Sequence, residues 1–283
     1  MSQINRRNFV RMATASACAL VSAHSAVALE QSQKSAGIGG RGPRILGLEL
    51  QSSVPLQELH TFYQDVIGLR VLQHRDNRLV IAGGETNLAF SHAPDTKAFY
   101  HFAFNIPENK IESALEWQKK RTAMLPIPER LRDANHSKEV VDYSHWNAHS
   151  IFFLDPAGNV VEYIARHDLE NGSAGEFGTQ DLLYISEIGL IVDDVIATAS
   201  SLKPAVGVEQ YRGGDDHFTA LGDECGLLLI MKRGRILNFD PSTDEKAARV
   251  FQTSVKVRGA GGPSYDFNPF PYKIFVDSNH TAR

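Results

Sequence analysis

Cysteine, tryptophan, methionine and long apolar runs are all scarce in this 283-residue chain. There are two cysteines, two tryptophans and four methionines, and no apolar stretch approaches the roughly 18 residues that a membrane-spanning helix needs. Cys18 lies in a segment with the marks of a cleaved signal, which leaves Cys225 alone. An internal disulfide and a cysteine-based metal site are therefore both excluded. An excess of basic charge is also missing, since 29 Lys and Arg against 33 Asp and Glu give a net charge of −4. That balance argues against nucleic acid as a partner. With 42% apolar and 22% charged residues, the chain has the composition of an ordinary globular protein and enough material for a sizeable core.

The N-terminus carries Asn5-Arg6-Arg7-Asn8-Phe9-Val10-Arg11, then Ala/Ser/Val-rich sequence ending at Ala26-Val27-Ala28. An arginine pair before a short, weakly apolar stretch and a small-x-small cleavage site predicts a twin-arginine signal over residues 1–28 and a periplasmic or other extracytoplasmic location. A plain secretory n-region and a lipoprotein site at Cys18 are the weaker readings of the same residues. Cleavage after Ala28 removes three arginines and no acids, taking the net charge from −4 to −7. Residues 29–43 are polar and Gly-rich and read as a linker.

From residue 44 the chain repeats a unit. A strand at 45–51 is followed by a helix opened by Pro55 and stopped by Gly68, with Leu56, Leu59, Phe62, Tyr63 and Val66 on one face. Three short strands follow, near 70–74, 78–82 and 87–92, giving βαβββ over residues 44–94. A second unit spans 98–167, with strands at 100–106, 150–154 and 160–165, a helix over 107–121 and a Pro/Arg/Asp-rich loop. Its Asp155-Pro156-Ala157-Gly158-Asn159 reads as a turn, with Pro at the corner, Gly for positive φ, and Asp and Asn bonding back to the backbone. A third unit spans 183–237, and a tail over 238–283 contains aromatic residues without a period. The expected fold class is α+β, with curved sheets and helices on their outer faces.

Phe62-Tyr63-Gln64-Asp65-Val66-Ile67-Gly68-Leu69, His101-Phe102-Ala103-Phe104 and Phe153-Leu154-Asp155-Pro156-Ala157-Gly158-Asn159-Val160-Val161-Glu162 occur in that order. By these three stretches the chain resembles the vicinal oxygen chelate superfamily, which includes glyoxalase I, extradiol dioxygenases and bleomycin-binding proteins. The resemblance implies that units 44–94 and 98–167 pair into a cupped sheet around a divalent metal (Fe, Mn, Zn or Ni), with ligands from the first and last strands of each unit. Carried over, His101 and Glu162 are ligands from the second unit, whereas Gly47 and Ala89 stand at the first unit's positions and cannot bind a metal. Glu49, two residues from Gly47 and on the same side of the strand, is the candidate third ligand. His145 and His149, in the loop beside Trp146 and Asn147, are candidate catalytic groups. Phe152 stands where the extradiol members carry a tyrosine and cannot donate a hydrogen bond. Glu187 falls at a first-strand ligand position in the third unit, but strand 227–231 offers it no partner, so a metal is not expected there. The third unit also has an open edge, to be covered by the first pair or by a second copy in a homodimer.

Two functions follow. One is a metal-dependent lyase, isomerase or ring-cleaving dioxygenase acting on a small vicinal-oxygen substrate, with His101, Glu162 and Glu49 as ligands. The other is a metal-free binding module that sequesters a largely apolar ligand, with His101 and Glu162 as a hydrogen-bonded pair among Tyr100, Phe102, Phe104, Trp146 and Phe152.

Overall fold

The computed structural model describes residues 44–237 and 246–278, so the twin-arginine segment, the linker and residues 238–245 of the tail lie outside the described residues. The first unit is β1 (Ile45–Ser52), α1 (Leu56–Thr61), β2 (Val71–Arg75), β3 (Arg78–Gly83) and β4 (Thr86–His92). The second is β5 (His101–Ile106), α2 (Ile111–Lys119), β6 (Val141–Tyr143), β7 (Ala148–Leu154) and β8 (Val160–Arg166). The third is β9 (Tyr184–Val192), α3 (Val195–Val206), β10 (Gln210–Gly214), β11 (Phe218–Asp223) and β12 (Gly226–Lys232). The aperiodic tail contributes β13 (Thr253–Arg258), β14 (Ser264–Asp266) and β15 (Tyr272–Asp277), a fourth unit without a helix. In every unit the first and last strands pair in parallel: β1 with β4, β5 with β8, β9 with β12 and β13 with β15. The fold is the expected α+β class with repeated units. No helix among the described residues is long and apolar enough to cross a membrane.

The pairing of units differs from the expected one. Strands run β14-β15-β13-β1-β4-β3-β2 in one sheet and β10-β11-β12-β9-β5-β8-β7-β6 in the other. The first unit therefore joins the tail through antiparallel β1–β13, and the second joins the third through antiparallel β5–β9. Units 44–94 and 98–167 do not share a sheet. The burial pattern gives the reason. β5, β8 and β9 are buried at every position and need cover on both faces and both edges, whereas β1 and β13 contain intermediate and exposed positions suited to a sheet with one open face. The third unit's edge is thus closed within the chain, which removes the reason to invoke a second copy there.

Local chemistry sets the connections. In the turn between β7 and β8, Asp155 Oδ1 accepts from the Asn159 backbone N–H at 3.0 Å, and its Oδ2 accepts from Asn159 Nδ2 at 2.7 Å and from the Tyr63 hydroxyl at 2.8 Å. Gly158 has φ +77°, as the turn residues predicted. The segment leading to β9 is held by buried Lys110, whose Nζ lies 2.9 and 3.1 Å from the carboxylate oxygens of Asp181. Asp194 caps α3, its Oδ1 accepting from the Ala197 N–H at 2.9 Å.

Gly84 ties the two sheets together. It sits at φ +63°, bridges to Tyr184 at the start of β9, and has no room for a side chain, because a Cβ there would stand 2.1 Å from the Leu183 carbonyl oxygen. Gly84→Ala is expected to cost on the order of 1–3 kcal/mol, combining left-handed strain with a backbone clash. A lowered urea midpoint with unchanged slope checks this.

Candidate metal centre

The eight-stranded sheet brings three ligand-type side chains together by register alone. Ala103 on β5 pairs with Glu162 on β8 on one side and with Glu187 on β9 on the other. Both carboxylates therefore flank one small side chain in a single row. His101, two residues before Ala103, projects from the same face one step along the strand. His101 Nε2 lies 3.3 Å from Glu162 Oε2 and 3.9 Å from Glu187 Oε2, and the ligand atoms of all three lie within 4.8 Å of one another. His101 is 9% exposed and each glutamate 2%, so water does little to screen them.

The same register identifies the fourth position. Glu162, on the last strand, pairs with the residue two beyond His101 on the first strand. Applied to β9 and β12, two beyond Glu187 is Gly189, which pairs with Leu229. A leucine thus stands where a fourth ligand would be, leaving a shell of three protein groups. Leu229→His is expected to add a nitrogen donor and slow metal loss to a chelator; an unchanged release rate would speak against this geometry.

Cations and hydrogen bonds orient the shell. His101 Nδ1 lies 3.1 Å from the Val160 carbonyl and donates to it, which turns the Nε2 lone pair toward the glutamates. Arg166, on β8 and 1% exposed, pairs with Glu187 Oε1 and lies over Trp146 and Tyr211. Among the described residues, the buried Glu162 Oε1 has no hydrogen-bond partner. His101 Nε2 faces the Glu162 carboxylate at 3.3 Å and the other Glu162 oxygen is orphaned, so the gap is filled either by a proton on His101 or by a divalent cation, which also satisfies the orphaned oxygen. The residues present fit such an ion.

Above these groups lies a cavity of about 200 Å³. Tyr143, His145 and Trp146, from β6 and the turn after it, line one side. Phe152, Phe218, Leu229 and Met231 form an apolar wall, and Arg235, Ile236 and Leu237 complete it. The His101 and Phe152 rings stack with centroids 6.1 Å apart. Burial, then the charges of Glu162 and Glu187, push the Tyr143 hydroxyl well above the ordinary phenol value, so it stays protonated as a donor.

The sequence-predicted residues separate. His101 and Glu162 are together as expected, and His145 faces the cavity. Glu49 is not part of this group. It stands on β1 of the seven-stranded sheet, its side chain half exposed and paired with Arg78. There Gly47, Ala89 and Ser254 occupy the positions equivalent to His101, Glu162 and Glu187, so that cup has no ligand set. His149 does not reach the cavity either. On β7 it alternates with Phe152, the cavity residue, and so projects from the opposite face of the sheet. Glu187 takes the place expected of Glu49, because its partners come from the second unit rather than its own last strand. Arg166 and Tyr143 had no sequence signal of their own. The requirement that the third unit's edge be covered could have pointed to β5.

Burial and the charge of Glu162 push the Glu187 carboxyl up to about 7, against the pull of Arg166 and His101. Burial disfavours charging His101, but the hydrogen bond and charge of Glu162, then Glu187, outweigh it and raise its pKa above the ordinary imidazole value. Both groups hold protons in the folded chain that the unfolded chain has released. The unfolded glutamate titrates near about 4.3 and the folded one near 7, so this stabilisation is complete at low pH and is lost as pH rises between those values. Metal-free protein is therefore expected to be more stable at pH 5 than at pH 7.5, by on the order of 1–3 kcal/mol, and Glu187→Gln to flatten the dependence. Urea titration at the two pH values measures it; stability rising over this interval would contradict the assignment.

No protein-family model matches the sequence, and no curated protein is significantly similar to it. Among solved structures, a proposed dioxygenase from Bacillus subtilis subsp. subtilis str. 168 aligns over 84% of this chain and 87% of its own, at 15% identity and TM-score 0.52. Glyoxalase I from Zea mays aligns over 82% and 91%, at 15% identity and TM-score 0.47. A glyoxalase/bleomycin resistance protein/dioxygenase from Nocardioides aligns over 53% and 99%, at 22% identity and TM-score 0.34. The first of these carries the fold assignment: the architecture is glyoxalase/dioxygenase-like, with two curved sheets each built from two units.

Proposed function

We propose that the protein is an exported, divalent-metal-dependent enzyme of glyoxalase/dioxygenase type, with His101, Glu162 and Glu187 as its protein ligands. Its substrate would be a small molecule presenting two neighbouring oxygens. The observation that carries this reading is the meeting of three buried ligand-type side chains, one carboxylate oxygen orphaned, at the floor of a cavity. One imidazole and two carboxylates suit Fe, Mn, Ni or Zn. Such an ion, when bound, would supply Lewis-acid chemistry at a carbonyl, enolate or catecholate oxygen.

The chain's own residues have separable tasks. Arg166 holds Glu187 in place and offsets part of the cost of its charge. Tyr143 donates a hydrogen bond from the wall, and His145 is positioned to exchange a proton with a bound substrate. Trp146, Phe152, Leu229 and Met231 exclude water and favour a flat or short apolar body. Export rests on the twin-arginine segment. A second reading, a metal-free binding module, is supported by the Arg166–Glu187 pair, which already neutralises one carboxylate. Reconstituting stripped protein with Fe, Mn, Ni or Zn and offering catechols and 2-oxoaldehydes tests the two. Turnover with one metal and none without it supports the enzyme; ligand binding indifferent to every metal replaces it with the binding module.

A further inference from the structure

A second cluster lies on the opposite face of the eight-stranded sheet. His149 projects there from β7, beside Asp142 of β6, its cross-strand neighbour. The loop between α2 and β6 brings Asp133 and His136 onto the same spot. Asp133 Oδ2 lies 2.9 Å from His136 Nδ1 and 3.0 Å from His149 Nε2, and the two imidazole rings lie with centroids 3.9 Å apart and planes tilted by 35°. Asp142 Oδ1 is 3.9 Å from the same His149 nitrogen. Behind His149 runs a relay: its Nδ1 is 2.8 Å from His167 Nε2, and His167 Nδ1 is 3.2 Å from Glu108 Oε2.

Asp133, His149, His167 and Glu108 form a row of four groups with three gaps at hydrogen-bond distance. Each gap needs a proton or a cation between two acceptors. With one N–H on each imidazole, the row has two protons for three gaps. With His167 donating to Glu108 and His149 donating to His167, the unfilled gap lies between His149 Nε2 and Asp133, where His136 and Asp142 also converge. A histidine whose far nitrogen is held by a relay ending in a carboxylate is the usual environment of a metal-binding imidazole.

We infer that Asp133, His136 and His149 form a second divalent-metal site, with Asp142 within reach of the same ion. It is independent of the centre at His101. Two imidazoles and a carboxylate suit Zn²⁺, and also Ni²⁺ or Co²⁺. The three side chains are 14–23% exposed, so the site opens to solvent and exchanges its ion without unfolding of the chain.

The test is zinc per chain after the full-length chain is stripped with a chelator and equilibrated with Zn²⁺. The parent is expected to hold two zinc ions, His136→Ala one, His101→Ala one, and the double variant none. Asp133→Asn, which keeps the side chain's shape, is expected to match His136→Ala and guards against a loss caused by loop rearrangement. Equal zinc in the parent, His136→Ala and Asp133→Asn would overturn the inference, the gap being filled by a proton instead. A single zinc lost in His101→Ala overturns it while leaving the proposed function standing. A single zinc lost in His136→Ala but kept in His101→Ala supports it and removes the proposed catalytic centre.

Discussion

Arg166→Leu is expected to destabilise the protein by about 3–5 kcal/mol, because it leaves the carboxylate of Glu187 buried without its cation. Both partners are almost wholly buried, at 1% and 2% exposure, so water cannot replace the guanidinium. The loss is expected in full at alkaline pH and should shrink as pH falls through about 7, since Glu187, already raised to about 7 with Arg166 present, then discards its charge by taking a proton. Arg166→Leu combined with Glu187→Leu is expected to recover most of the stability, as replacement of a buried pair by apolar groups of similar volume often does. The two single variants, the double variant and the parent form a cycle measurable by urea unfolding. A single-variant loss under about 1 kcal/mol would mean that the pair is solvated in solution.

His101→Ala, Glu162→Gln and Glu187→Gln are each expected to abolish binding at the inner centre, whereas Glu49→Gln leaves it unchanged. Three protein groups are the usual minimum for a catalytic metal, so the loss of any one leaves too few. Glutamine keeps the size of glutamate but not its charge, which separates ligation from packing. At an ion concentration of 100 times Kd, the parent should gain about 2.7 kcal/mol on metal addition, and the three variants none of the inner-site share. Thermal unfolding with and without Mn²⁺ reads this directly. Stabilisation in Glu162→Gln equal to the parent's, or a loss of the inner-site share in Glu49→Gln, would place the ion elsewhere.

The βαβββ repeat, the turn at Asp155, and the positions of His101, Glu162 and Glu187 in their strands were legible in the sequence. The repeat and the turn depend on local periodicity and on side chains that bond to their own backbone, so neighbouring residues suffice to specify them; the three ligand-type positions rested on the family resemblance. What only the tertiary structure decided was which unit faces which. Strand pairing between units is a long-range choice, and here it follows from β5 and β9 each being buried on both faces, whereas β1 tolerates an open side and takes the tail as its partner. That choice put Glu187 rather than Glu49 beside His101 and Glu162 and supplied Arg166 to hold it. Strand parity then decided the histidines: His145, in the turn, faces the cavity, and His149, one strand position out of phase with Phe152, joins Asp133 and His136 on the other side of the sheet.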